Sequence, residues 1–255
     1  MLNRLPLLLV SLLVAVPVWA SFDFGGTDDS FAGDLGVGNE LPYPITIAVW
    51  IKYTDHPVAA QVMVNFGLDS DSLNSSHRLF TQGTDGRFSA GSTSAAGSTS
   101  ASQFTLADPA SLDNTWVPII GVFRSNTDRQ VYFNGVAADV DTTNTIINTS
   151  MRFLRIGEGL DGTLEWQFNI AEVAIWNSDL SLANMDLYEG GTCAAEIDNA
   201  NLIAYYSLLT SDTTPDDESG NGGPTLSAVG TPTHDADHPD VCQDSNAAVL
   251  RRRRN

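Results

Sequence analysis

A sugar ring is held by an aromatic plane against its apolar face and by polar groups at its hydroxyls. Trp166 and Trp176 are the residues of this sequence that offer such a plane, and packing in a core is the competing, favoured reading for each. The four histidines, His56, His77, His234 and His238, sit in polar, turn-like surroundings with no nucleophile motif beside them, so no Ser-His-Asp relay can be assembled. His234-Asp-Ala-Asp-His238 places metal-binding side chains close together, but no strand or helix pattern fixes them and Pro239 follows, so a solvated loop is expected. Two cysteines, Cys193 and Cys242, with scattered histidines do not make a zinc site. In an exported chain an even count favours a Cys193–Cys242 disulfide.

Export is what the first twenty residues predict. Arg4 precedes an apolar run from Leu5 to Val18, and Val18-Trp19-Ala20 puts small residues where a signal peptidase reads them, so residues 1–20 form a signal peptide cleaved before Ser21. The run is shorter than the roughly 20 apolar residues that span a bilayer, and no later stretch supplies a membrane span. The expected location is secreted, periplasmic or at the cell surface. From Ser21 to Leu250 there are seven basic residues, Lys52, Arg78, Arg87, Arg124, Arg129, Arg152 and Arg155, against 31 acids. That balance argues against nucleic acid as a partner, since phosphate backbones are met by clustered Lys and Arg. Residues 243–255, ending in Arg251 to Arg254, form a tail of like charges that is expected to be disordered.

The elements that must position any site are strands. In Ile45-Thr-Ile-Ala-Val-Trp-Ile-Lys52, Ile45, Ile47, Val49 and Ile51 share one face, and Thr46, Ala48, Trp50 and Lys52 share the other, a period of two. Similar segments recur at Gln61–Phe66, Trp116–Phe123, Gln130–Phe133, Arg152–Ile156, Asn169–Trp176 and Leu202–Leu208, separated by turn residues. Asn134-Gly135 between two apolar segments predicts a tight hairpin with positive φ angles, and Ser125 to Arg129 closes another. The Ser- and Gly-rich stretch Ser89 to Ser102 reads as a hairpin or long loop inside the domain, because strands follow on both sides. One short helix begins near Ser181 and ends at Gly190-Gly191.

Several of these pieces resemble laminin-G-like jelly rolls of the concanavalin A superfamily. Phe22-Asp-Phe-Gly-Gly-Thr-Asp-Asp-Ser-Phe31 looks like the family's opening strand and loop, and Ile45 to Lys52 resembles the strand that follows. Trp116 to Phe123 with Val131 to Val136 resembles the central hairpin. Ile156-Gly157 to Asn169-Ile-Ala-Glu-Val-Ala-Ile-Trp-Asn-Ser-Asp-Leu-Ser181 resembles the late strand and its short helix, the most specific match. Leu202 to Leu208 with Asp216-Asp-Glu-Ser-Gly-Asn-Gly-Gly223 also looks familiar, although many relatives carry this piece before the opening strand. It is therefore expected to pair near Phe22 to Phe24.

The resemblance implies an all-β fold of two packed antiparallel sheets with one short helix, over residues 21–242. Calcium is the ion it implies, carried over to Asp28 and Asp29 in the opening loop and Glu172 in the late strand; the Asp that commonly precedes that glutamate is Ala171 here. Hydrolases of this fold resemble Glu-x-Asp-x-x-Glu, whose alternating acids point into a cleft; Glu196-Ile-Asp198-Asn-Ala-Asn201 lacks the second glutamate and lies in a loop. The implied function is a non-enzymatic binding module for a glycan or a surface protein, assisted by calcium. The alternatives are a structural or adhesion protein of a cell surface or virus-like particle, and a polysaccharide-degrading enzyme.

Overall fold

The computed structural model describes residues 21–25, 28–36, 40–55, 59–68, 75–82, 86–145, 151–208 and 213–242. The expected signal peptide, the arginine tail and His56 lie outside the described residues. In chain order the strands are β1 (Ser21–Asp23), β2 (Ser30–Asp34), β3 (Ile45–Lys52), β4 (Gln61–Gly67), β5 (Ser76–Gln82), β6 (Arg87–Thr93), β7 (Thr99–Thr105) and β8 (Val117–Ser125). They continue with β9 (Asp128–Phe133), β10 (Val136–Ala137), β11 (Phe153–Ile156), β12 (Asn169–Trp176), β13 (Leu202–Tyr206), β14 (Ser227–Val229) and β15 (Thr233–Asp235), with helix α1 (Leu182–Glu189) between β12 and β13.

The strands form two antiparallel sheets. Sheet A runs β10-β9-β8-β3-β12-β1-β15, with β13 also on β12, and sheet B runs β14-β2-β11-β4-β5-β6-β7. The alternation read in the sequence sets the layers. Ile45, Ile47, Val49 and Ile51 of β3 face the space between the sheets and meet Phe66, Leu79, Phe88 and Ile156 from sheet B. The opposite residues Ala48 and Trp50 join Ile120, Val122 and Trp176 in a second apolar layer, capped by Met185 and Tyr188 of α1 and by the Cys193–Cys242 disulfide. Sheet A is thus buried on both faces. Sheet B is covered on its inner face, and β11 alternates half-buried Phe153 and Arg155 with buried Leu154 and Ile156.

Turn chemistry matches the sequence reading. Asn134 and Gly135 take φ of 49° and 69° in the β9–β10 hairpin, Ser125 pairs with Asp128 across the β8–β9 turn, and the Ser- and Gly-rich stretch is the β6–β7 hairpin. Ser181 caps α1 by accepting from Asn184 N. The late piece β13 and the opening strand β1 do not pair with each other. They lie on one edge of β12, β1 at Asn169 and Ile170 and β13 from Val173 to Trp176, because eight-residue β12 is long enough to carry both.

Candidate functional site

The segment joining β11 to β12 leaves sheet B at Gly157, whose φ of 91° and contact with Phe24 exclude a side chain: a Cβ there would lie 2.5 Å from the Phe24 ring. Gly157 N donates to Met63 O at 2.8 Å, and Trp166 N closes the loop by donating to Gly157 O at 2.7 Å. Trp166 itself is fully buried and packs edge-on against Phe168. Its indole anchors the base of the loop, and that anchoring holds Glu158 and Glu165 at the two ends of the turn.

Asp28 comes to meet them from the β1–β2 loop. It sits at φ 68°, and its neighbour Asp29 accepts from Thr231 N at 2.7 Å, which ties the loop to the turn before β15. Gly230 permits that contact, since a Cβ there would come within 2.5 Å of Asp29 Oδ1 and Asp28 O. Carboxylate oxygens of Asp28, Glu158 and Glu165 lie within 4.8 Å of one another. Glu158 is buried, accepts from Ser30 Oγ at 2.9 Å and pairs with Arg155 Nε at 3.2 Å. Burial raises its pKa, Arg155 and Ser30 pull it back, and Glu165 and Asp28 push it up. One guanidinium against three carboxylates leaves the cluster with an excess of negative charge.

The donor set fits a hard divalent cation. Calcium takes carboxylate oxygens at about 2.4 Å, so no two of its ligands can lie more than about 4.8 Å apart, and the three acids meet that limit. Asp28, Glu158 and Glu165 would hold it, with Asp29 positioning Asp28.

Beside this cluster the outer face of sheet B opens at β2 and β11. An open recess of about 300 Å³ is lined by Ala32, Gly33, Asp34, Phe153, Arg155 and Leu160. Arg152 stacks on Phe153 at 4.7 Å and pairs with Asp34 at 3.4 Å. Arg155 connects recess and acids, reaching Glu158 through Nε and donating from Nη1 to Leu160 O at 3.1 Å. The recess therefore offers an aromatic ring, an acceptor and guanidinium donors together.

The other sequence candidates fall elsewhere. Neither Trp166 nor Trp176 is a ligand platform in this structure, since both have no solvent exposure; Trp176 donates its Nε1 to Ile197 O at 2.8 Å beneath α1. Glu172 does not join Asp28 and Asp29. A bulge in β12 between Ala171 and Ala174 puts it at φ 54° in the layer outside sheet A, where it accepts from Tyr205 Oη at 2.5 Å. Burial pushes its carboxyl up to about 8, against the Tyr205 hydrogen bond and with the help of Glu218. Asp198 accepts from Ser178 Oγ and Asn201 Nδ2, so it ties a loop together. Of the His234–His238 segment, Asp237 pairs with Lys52 and Trp116 Nε1, and Asp235 accepts from Asn169. Glu158, Glu165, Phe153 and Arg155 were missed by the sequence reading. The acids flanking the glycines of Gly157-Glu-Gly-Leu-Asp-Gly-Thr-Leu-Glu165, directly after a strand, were the available signal.

A laminin-G-like profile, described as the concanavalin A-like lectin/glucanases superfamily, matches residues 25–185. No curated protein matches the sequence. Among solved structures the chain is similar to the native heptameric SAP-like pentraxin of Limulus polyphemus, with TM-score 0.54 and 15% identity, covering 84% of this chain and 97% of that one. It is also similar to a protein of Bacteroides ovatus described as carbohydrate-binding, with TM-score 0.55 and 13% identity over 86% of this chain and 62% of that one. The receptor-binding domain of botulinum neurotoxin D gives TM-score 0.51 and 15% identity over 68% of this chain and 44% of that one. At these identities the structural likeness is one of fold, whereas the profile covers more than half of the chain. The chain belongs to the concanavalin A-like lectin/glucanases superfamily, as a laminin-G-like member matched from the loop before Asp28 to helix α1.

Proposed function

We propose that this protein is an exported, non-enzymatic binding module that takes a carbohydrate of a cell surface into the recess on the outer face of sheet B, with calcium at Asp28, Glu158 and Glu165 ordering the loop beside it. The observation that carries this reading is the joining of the two features through Arg155: one side chain lines the recess and pairs with the buried acid of the cluster. Phe153 supplies the apolar plane, and Asp34 and Arg155 the hydrogen-bonding groups, that recognition of a sugar ring requires. The carbohydrate-binding and receptor-binding proteins of this fold support the class of ligand. Export is supported by the amino-terminal sequence and by the disulfide. Among the described residues no helix is long and apolar enough to cross a membrane.

The test is a glycan array probed with the protein from Ser21 onward, in calcium and in chelator. Binding in calcium that falls at least about ten-fold in Phe153→Ala, the loss expected when a desolvated ring contact is removed, is the expected result. An array that stays blank in calcium, or binding indifferent to Phe153→Ala, would overturn the assignment.

A further inference from the structure

The outer face of sheet B carries a second polar feature beside the recess. Strand pairing lines up one residue from each of six strands on this face: Ala32 of β2, Arg155 of β11, Asn65 of β4, Arg78 of β5, Gly91 of β6 and Ala101 of β7. Asn65 sits between the two guanidiniums, and the small residues at either end leave the row low. Arg155 has its partners. Asn65 is fully buried with neither its amide oxygen nor its amide nitrogen hydrogen-bonded, and Arg78, 7% exposed, has Nε and Nη1 buried without a partner.

The contacts Arg78 does make are a 3.2 Å hydrogen bond from Nη2 to Thr99 Oγ1 and the face of Phe80 at 4.7 Å. No acid forms an ion pair with it among the described residues, and Asp161, in the turn above, acts on it only at longer range. A buried guanidinium without a counter-ion is costly, and a buried amide with neither bond made adds to the cost. Such groups persist in folded proteins where a ligand or ordered water completes them. The charge selects between ligands: four of the seven basic residues between Ser21 and Leu250, namely Arg78, Arg87, Arg152 and Arg155, lie in or beside β5, β6 and β11. Arg152 and Arg155 already pair with Asp34 and Glu158, so it is Arg78, with no ion pair among the described residues, that favours an anion there.

Recess and row are neighbours. Leu160 lines the recess and rests on β4 at Gly67, two residues from Asn65 on the same face; a Cβ at Gly67 would lie 2.5 Å from Leu160 Cδ1. Leu160 is therefore the wall between them.

We propose that Asn65 and Arg78 form an anionic subsite continuous with the Phe153–Arg155 recess, which takes the carboxylate of an acidic saccharide when the Leu160 side chain swings aside. The inference rests on the carbohydrate reading above and narrows its ligand to sugars that carry a carboxyl group. Arg78 supplies the charge-assisted hydrogen bonds, and the Asn65 amide, donor and acceptor at once, takes a neighbouring hydroxyl or the second carboxylate oxygen.

The experiment compares trigalacturonate with its methyl ester, measured by calorimetry in calcium against the wild type, Arg78→Gln and Asn65→Ala. The acid is expected to bind more tightly than the ester, and Arg78→Gln to weaken the acid by about ten- to hundred-fold while leaving the ester unchanged. Should Arg78→Gln fail to fold, Asn65→Ala makes the same comparison, with a smaller loss expected. Ester and acid binding equally, or acid affinity unmoved in both variants, overturns the anionic subsite and leaves the carbohydrate reading standing. If neither trimer binds, the carbohydrate reading loses support, and titration with glucuronate, followed by the Arg78 Nε–H resonance, decides the subsite alone. A saturable shift supports it and no shift overturns it.

Discussion

Glu172→Gln is expected to make the protein more stable in alkaline solution and to remove the part of its pH-dependent loss of stability that Glu172 contributes. The Glu172 carboxyl is 1% exposed; Tyr205 Oη donates to Oε2, and Oε1 has no partner. The groups packed around it are Tyr188, whose hydroxyl donates to the Glu172 carbonyl, Tyr205, the Cys193–Cys242 disulfide and, among acids, Glu218. Among the described residues nothing cationic faces it, so burial keeps the acid protonated up to about pH 8, against a usual value of 4.5. Between those two pH values the unfolded chain has released the proton and the folded chain still holds it. Stability therefore stands at its full value below about pH 4.5, falls as pH rises, and levels off above about 8. At 1.36 kcal/mol per pH unit that interval sets a ceiling of about 5 kcal/mol. Glutamine keeps the acceptor for Tyr205 and never ionises. Urea denaturation followed by tryptophan fluorescence from pH 5 to 9 should find the two proteins within about 1 kcal/mol at pH 5 and Glu172→Gln ahead by several at pH 9. Other acids with raised pKa values, such as Glu189, remain in both proteins and cancel. A difference that stays constant across the range, or one that favours the wild type at pH 9, would refute the reasoning.

Three further outcomes follow from the geometry. Replacing Cys193 and Cys242 by serine opens a loop with a separation of 49 residues; chain entropy puts the loss at about 4 kcal/mol, read as a lowered urea midpoint. Gly157→Ala forces a methyl group against Phe24 at positive φ; a cost of about 2 to 4 kcal/mol is expected from overpacking and strain together, measured by the same denaturation, and a neutral result would show that the loop base yields. Calcium at about 100 times its dissociation constant should raise stability by about 2.7 kcal/mol. Glu165→Gln should shrink that gain while leaving the protein in chelator as stable or slightly more so, because it removes a carboxylate that repels Glu158.

The layers of this fold were legible because alternation is local. The period-two pattern of Ile45 to Lys52 assigns each side chain to a face without any knowledge of its neighbours, and both faces of β3 proved to be buried in the order it implied. The hairpin at Asn134-Gly135 and the cap at Ser181 were readable for the same reason, since each depends on the residues within one turn. What alternation leaves open depends on long-range pairing. A tryptophan in an irregular stretch carries no mark of whether its ring meets solvent, and Trp166 is buried because a loop folds back onto Gly157.

The metal set shows how a single residue of register redirects chemistry. Glu172 sits at the bulge of β12, where the strand shifts from Ile170 facing the space between the sheets to Ala174 facing the outer layer. The extra residue between Ala171 and Ala174 turns the carboxyl into the layer sealed by Tyr205 and the disulfide, where it has no cationic partner and keeps its proton. The acids that do converge stand on loops: Asp28 is held through Asp29 and the Gly230 turn, and Glu158 and Glu165 through Gly157 and Trp166. A cation there requires ionised carboxylates: Glu158 has the Arg155 guanidinium beside it, whereas Glu172 keeps its proton. The two sites therefore respond to alkali in opposite senses. Raising pH would ionise Glu158 and so favour a cation at the cluster, while ionising Glu172 weakens the fold. Calcium affinity should rise with pH while the urea midpoint of the calcium-free protein falls, and Glu172→Gln should keep the rise and lessen the fall, the remainder of which belongs to Glu189 and Glu158.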